Sequence, residues 1–368
     1  MKERERFDTL GTIGVEEEFY VVDSETLEPV AASDSLLEDP PRELQDHLDT
    51  ELFKFVLETT TDTATSVGDA RDQVAEKREA LKSYVRSYGY EVLAAGLHPS
   101  AKWIENEQIQ KPRYTKQLER IGYPQHRNMT AGLHVHIGVD DADTAVCIAN
   151  EIRRYLPMYL ALGANSPFWQ GYETGLRSAR AVVFENLPNT GIPTAFDSWR
   201  DFRSFEKRMV EEGSIKDRGE IWWDVRPNTR YGTVEIRSPD SQTSIERVVG
   251  FVALTRALVL DLYSDCDRGG HTDVRREILD ENKWRALRHG HDATFLRTGE
   301  GETETGVVEL EDLFDDVVGS LEGQKLSLAE SLIEESGAQR QIEAYNENEN
   351  ENEAEKEIFR RVCEEIKI

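Results

Sequence analysis

The chain has 368 residues, with 72 acidic against 44 basic side chains and a formal charge of −28. So acidic a balance disfavours non-specific binding to nucleic acid or to anionic membranes, both of which reward clustered Lys and Arg. The acidic residues run through the whole chain instead of forming one tail, which reads as a salt-adapted surface, and the three cysteines are too scattered for a disulfide framework or a zinc knuckle. The opening MKERERFDTL has no apolar signal core and no run is long enough to span a bilayer, so a cytoplasmic protein without a membrane partner is expected.

After a charged lead-in over residues 1–10, Gly14-Val15-Glu16-Glu17-Glu18-Phe19-Tyr20 lies in a β-prone run from Thr12 to Val22. On a strand Glu16 and Glu18 share one face, while Val15, Glu17 and Phe19 take the other. Two carboxylates one pleat apart repel each other unless water or a divalent cation relieves them. The apolar neighbours Ile13, Phe19, Tyr20, Val21 and Val22 favour a buried strand, where unpaired charge is costly, and hence a metal site. Asp23 to Thr26 reads as a turn, with a returning strand over Leu27 to Ala31.

A second strand is expected over 51–61, with Glu58 near its Thr-rich end and Glu51 at its start, open between a solvated residue and a ligand. Asp69 is placed as the N-cap of a helix over 70–88, followed by a strand over 89–96 and a structural His98 in a turn. In Ala131 to Val139, His134 and His136 alternate with Leu133, Val135, Ile137 and Val139. They read as metal ligands or as hydrogen-bonded core histidines. Two residues of strand put them about 7 Å apart, too far to share one ion.

Asp140 or Asp143 caps a helix reaching about Gly163. Arg177 and Arg180 follow in a polar segment, as surface or functional residues. A helix is expected over 198–212. Ile221 to Asn228 and Gly232 to Pro239 form a hairpin in which Glu235 and Arg237 share a face, as a salt bridge or as part of a site. An apolar helix over 244–266 leads to a helical, acidic remainder. Asn346 to Glu353 alternates Asn and Glu, a solvated linker or frayed helix before a final helix. The division is therefore one domain over 1–345 and a terminal segment over 346–368.

Glu16, Glu18, Glu51, Glu58, His134 and Glu235, beside Arg226 and Arg237, suit hard cations such as Mg²⁺ or Mn²⁺ better than zinc. So many carboxylates imply two or three ions. Divalent ions beside arginines fit polyphosphate chemistry, yet no GxxxxGK[ST] loop is present, so metals on a sheet would have to hold ATP.

GVEEEF, the E-x6-E run ending in ETTT, GLHVHIG, the NSPFW…TG…SAR segment and RPNTRYGTVEIRSPDS together resemble the carboxylate–amine ligase / glutamate–cysteine ligase type 2 family. The resemblance covers about residues 11–260 closely. It implies a glutamine synthetase-like α+β fold, a curved antiparallel sheet forming a funnel with helices outside. It implies metal ligation by Glu16, Glu18, Glu58, His134 and Glu235, joined by Glu51, with Arg237 and Glu58 catalytic. Arg226, His136 and Arg180 would contact substrate or nucleotide. The implied reaction joins glutamate to cysteine with ATP, through a γ-glutamyl phosphate. A ligase for another amine and a non-catalytic metal-binding relative remain the alternatives.

The charge excess makes one prediction. Melting midpoints should rise between roughly 0.1 M and roughly 2 M KCl, as the Debye length falls from about 10 Å to below about 3 Å and self-repulsion is screened. An unchanged midpoint in a thermal melt refutes the salt-adapted reading.

Overall fold

Side-chain alternation decides what each strand of the central sheet shows to either side. The computed structural model describes residues 6–267, 274–298, 306–321, 326–350 and 354–368. Its main sheet is antiparallel and has seven strands: β1 (Ile13–Asp23), β2 (Leu48–Thr50), β3 (Val56–Thr60), β4 (Tyr90–Leu93), β5 (Leu133–Gly138), β6 (Val225–Asn228) and β7 (Thr233–Ile236). The order is β6-β7-β5-β1-β3-β2, with β4 paired to the far half of β1.

On the rear face Val15, Val135, Ile137, Val234 and Ile236 are buried with Val74 of helix α1 (Val67–Arg86), Ile148 of α2 (Ala142–Ile152) and Val252 of α3 (Ile245–Asp267). Glu17 also points to this side, as the alternation requires, and is 3% exposed. It survives there because Arg78 of α1 grips it in a two-pronged ion pair, Nε–Oε2 3.2 Å and Nη2–Oε1 2.6 Å. Arg78 spends its remaining donors on the carbonyls of Gln242 and Thr243. On the front face the first half of β1 is polar and the second apolar: Tyr20 and Val22 pack with Phe53, Phe55, Val56, Leu93 and Ile366.

The terminal helix, Glu355–Glu364, packs Phe359 and Val362 against Phe168 and Tyr345. Beyond it the chain lies along β4, where Ala94 N–H donates to Ile366 O (2.8 Å), Lys367 bridges Leu93, and Ile368 N–H donates to Val92 O (3.2 Å). Of the Asn/Glu stretch, residues 351–353 lie outside the described residues. At the other end, Arg6 donates to Arg230 O (2.8 Å), and its backbone fills the space where a side chain on Gly232 (φ +71°) would have to go. Among the described residues no helix is long and apolar enough to cross a membrane.

Several expectations need correction. The strand expected over 51–61 is shorter, because Glu51–Phe55 turn between β2 and β3 and bury Phe53 and Phe55. The return after Asp23 makes one bridge, Val22 with Pro29, in place of a strand. Ser66, not Asp69, caps α1, accepting the Asp69 N–H at 3.1 Å. Asp141 caps α2, and the single helix expected to Gly163 breaks after Ile152 and restarts at Leu156, where Pro157 occupies the first turn. A hairpin of Thr294–Leu296 with Val307–Glu309 lies in the region read as helical. Cys147 and Cys266, 119 residues apart and read as too scattered for a disulfide framework, form a disulfide between α2 and α3. Their pairing depends on how the two helices pack, which sequence spacing does not encode.

Glu17→Ala should cost about 3–5 kcal/mol of stability, since it strands a buried Arg78. Divalent-metal affinity should not change, because Glu17 faces away from Glu16 and Glu18. A loss below about 1 kcal/mol in denaturant unfolding would contradict this account of the ion pair.

Candidate active site

Register aligns the front-face residues across five strands. Glu18 on β1 lies opposite Glu58 on β3, and Glu16 opposite His134 on β5. His136 lies opposite Glu235 on β7, which faces Arg226 on β6. Cross-strand partners share a face, so every one of these side chains projects to the same side. Glu51 joins them from the turn before β3.

Glu16 sits between both histidines, with Oε2 3.0 Å from His134 Nδ1 and Oε1 3.3 Å from His136 Nε2. Glu18 Oε2 accepts the Gly132 N–H at 2.6 Å. Glu235 is wholly buried and accepts from Arg226 Nε (2.7 Å) and Nη2 (3.1 Å), from Asn228 Nδ2 (2.7 Å) and from Arg237 Nη1. Arg180, 4% exposed, lies against the open face of Gly132, where any side chain would collide with the guanidinium. Behind it, buried Asp240 accepts from Asn165 N–H, Ser166 Oγ and Ser178 Oγ and faces Arg180 Nη1 at 3.9 Å.

These surroundings set the charges. Burial would raise the Glu16 pKa, but His136 and then His134 overcome it and hold it well below the usual range. Burial likewise opposes Glu235, and Arg226, Arg237 and His136 carry it far down. Burial and the repulsion of Glu18 push Glu51 up to about 8. Burial with Glu16, Glu51 and Glu18 pushes Glu58 well up. His134 is lowered by burial and by Arg237. His136 is raised, because Glu16 and Glu235 outweigh its burial.

Three sets of potential ligand atoms lie within 4.8 Å of one another: Glu18, Glu51 and Glu58; Glu16, Glu58 and His134; and Glu16, His136 and Glu235. His134 and His136 thus fall in different sets, in keeping with their spacing along the strand. The residues present fit hard divalent ions. Glu51 and Glu58 form no ion pair among the described residues, and His134 Nε2 is buried without a hydrogen-bond partner, 3.9 Å from Glu18 Oε1. The Glu235 set fits less well, since two arginines already occupy that carboxylate.

Two cavities meet at this row. The larger, about 500 Å³, is lined by Glu18, Glu51, Glu58, Arg113, Arg180 and Arg237. The smaller, about 450 Å³, is walled by Thr9, Thr12, Thr60, Thr61, Thr233 and His47. Both reach Glu16 and Tyr231, and the Tyr231 ring stands edge-on to His136 at 5.6 Å. The candidate residues from Glu16 to Arg237 therefore converge on one place, with Arg226 behind Glu235. Arg113, Gly132, Tyr231 and Asp240 escaped the sequence reading. The last three lie inside or beside the quoted motifs; Arg113, in a polar stretch, carries no local signal.

The glutamate–cysteine ligase of Francisella tularensis, solved in complex with AMP, superposes with a TM-score of 0.64 at 11% identity, covering 98% of this chain and 89% of that one. A bifunctional glutathione synthetase from Pasteurella multocida gives 0.67 at 16% identity over 96% of this chain, which spans only 52% of that longer protein. At such identities the likeness is one of fold, and the α+β class is the one expected. In sequence the chain is 58% identical to the glutamate–cysteine ligase of Natronomonas pharaonis over 298 residues, 80% of this chain and 82% of that one. With the glutamate–cysteine ligase of Haloferax volcanii it is 58% identical over 293 residues, 79% and 82% of the two chains. The model of Glutamate-cysteine ligase family 2 matches residues 12–365, and the chain belongs to that family.

The raised carboxyls predict proton-coupled metal uptake. With Glu51 pushed up to about 8, its carboxyl carries a proton near neutral pH in metal-free protein and would lose it on ligation, and Glu58 is shifted in the same direction. Mn²⁺ affinity should therefore climb as pH rises toward about 8, with proton release at about pH 7 seen by calorimetry in buffers of different ionisation enthalpy. Binding without proton release would show that these two carboxyls are not ligands.

Proposed function

We propose that the protein joins L-glutamate, through its γ-carboxylate, to the amine of L-cysteine, converting ATP to ADP and phosphate. One observation carries the reading: a row of carboxylates and imidazoles divides an arginine-lined chamber from a threonine-walled one. The first suits amino-acid carboxylates. The second has room for a nucleoside whose phosphates would point at the row.

The γ-carboxylate oxygen of glutamate attacks the terminal phosphorus of ATP, and the bond to ADP breaks. The cysteine amine then attacks the acyl carbon of the γ-glutamyl phosphate, loses a proton, and phosphate leaves with the C–O electron pair. Mg²⁺ or Mn²⁺ held by Glu16, Glu18, Glu51, Glu58 and His134 would neutralise phosphate charge and orient the carboxylate. Arg237 stands beside that row, and its buried Nε has no partner, so it is placed to stabilise charge developing on the transferred group. Arg226 holds Glu235 and through it the position of Arg237. Arg180, also with an unpartnered buried Nε, takes a substrate carboxylate in the larger chamber. His136 orients Glu16 beside the phosphates. A carboxylate in the metal-ligating row, Glu58, is the one residue asked both to ligate and to face the reacting γ-carboxylate.

The relatives named as glutamate–cysteine ligases support cysteine as the amine. The pools of ATP and free cysteine put this reaction in the cytoplasm, a compartment in which a disulfide such as Cys147–Cys266 is unusual.

ADP release in concentrated KCl with Mg²⁺ should require glutamate and cysteine together, and Arg237→Lys should lower kcat by roughly a hundredfold or more. Turnover with a different amine and none with cysteine would replace cysteine while keeping the ligase class. No ADP release with any amine would leave a metal-binding relative.

A further inference from the structure

The chemistry above leaves one demand unmet: the amine substrate has a carboxylate of its own. Most cations lining the larger chamber are already engaged. Arg226 and Arg237 are bound to Glu235, and Arg180 faces Asp240. Arg218 pairs with Glu206, and Lys216 lies 3.9 Å from Asp217. Arg230 lies over the Tyr231 ring, at the junction with the second chamber.

Arg113 differs. Among the described residues its guanidinium meets no carboxylate, and its neighbours are the Tyr114 ring at 5.9 Å and the backbone at Gly219. In a protein whose acids outnumber its bases 72 to 44, a cavity-lining arginine without an ion pair stands out, and of Arg113 and Arg230, which share that feature, Arg113 is the one whose charge bears on Glu51.

Its position is built from both sides. The helix Pro112–Ile121 is tied to the end of β2, next to Glu51, because Tyr114 Oη donates to Thr50 O at 3.0 Å. On the opposite side Glu220, 3% exposed, accepts from Gln117 Nε2 (3.1 Å) and Arg120 Nη2 (2.6 Å), and from Lys216 N–H (2.8 Å). These bonds fix the helix beside the chamber, where Arg113 forms no ion pair among the described residues and its positive charge acts on Glu51 of the carboxylate row.

In an α-amino acid the amine and the carboxylate hang from one carbon. A carboxylate caught at the rim therefore turns the amine inward, toward Glu51 and Glu58. We infer that Arg113 binds the carboxylate of the amine substrate and makes the enzyme selective for an α-amino acid over the corresponding simple amine. The inference rests on the ligase reading, and the test separates the two.

Full-length wild type, Arg113→Ala and Arg113→Lys are assayed with ATP, Mg²⁺ and glutamate, varying cysteine or cysteamine, its analogue without the carboxylate. Loss of a charge-assisted contact should lower kcat/KM for cysteine in Arg113→Ala by roughly ten- to hundredfold. Cysteamine turnover should stay within about threefold, which also shows that the variant is folded. The preference for cysteine over cysteamine should thus collapse, and Arg113→Lys should restore part of it. An unchanged preference in Arg113→Ala, or a rise in KM for glutamate in place of cysteine, overturns the inference. Wild type inactive with cysteine and glutamate overturns the ligase reading, and the inference with it.

Discussion

Carboxylates crowded onto a buried sheet must each find a positive charge or keep a proton, and this constraint orders the molecule. Glu17 is answered by Arg78 on the rear face, Glu235 by Arg226 and Arg237, and Glu16 by two imidazoles. Glu18, Glu51 and Glu58 crowd together, with no arginine or lysine bound to any of them among the described residues. The protein thus neutralises permanently those carboxylates that hold its shape. It leaves without such a fixed partner the ones that line the larger chamber. Three consecutive glutamates in one motif fall into different classes because the pleat turns the middle one away from its neighbours.

Much of this was legible in sequence where the signal is local. Alternation around Glu16 and Glu18, and again around His134 and His136, states which side chains share a face. What alternation cannot state is register. Nothing in either strand says that Glu16 meets His134, or that His136 meets Glu235 on a strand almost a hundred residues later. Glu51 was assigned to the right cluster but the wrong element, since Phe53 and Phe55 look like strand residues and are buried in a turn. Pro157 was a local signal left unused. The Cys147–Cys266 pair and the role of Arg113 depend on how helices pack, so they had no signature to read. The pairing of Thr294–Leu296 with Val307–Glu309 was lost for a related reason: both strands are three residues long, below the length at which a period of two is recognisable.

The distribution of charge also separates surface from site. A surface rich in acidic groups repels anions wherever salt does not screen it. That same repulsion would exclude anionic substrates if it extended into the cavity. Arginines gathered in the larger chamber offset it at short range, where screening by salt is weakest because the cavity walls exclude ions. Ligand binding here therefore depends on direct contact and little on long-range steering.

The pairing of Ile366, Lys367 and Ile368 along β4 has a consequence for how the polypeptide is made. β4 is hydrogen-bonded to β1 on one side and to this segment on the other. A nascent chain emerging from the ribosome can assemble β1, β3, β5 and β7, yet β4 keeps a bare edge until residue 366 and its neighbours have left the exit tunnel. Closure of the sheet at β4 thereby waits on a segment far later in the sequence, and until that segment arrives the open β4 edge is the place where a chaperone, or another unfinished copy, finds unpaired backbone.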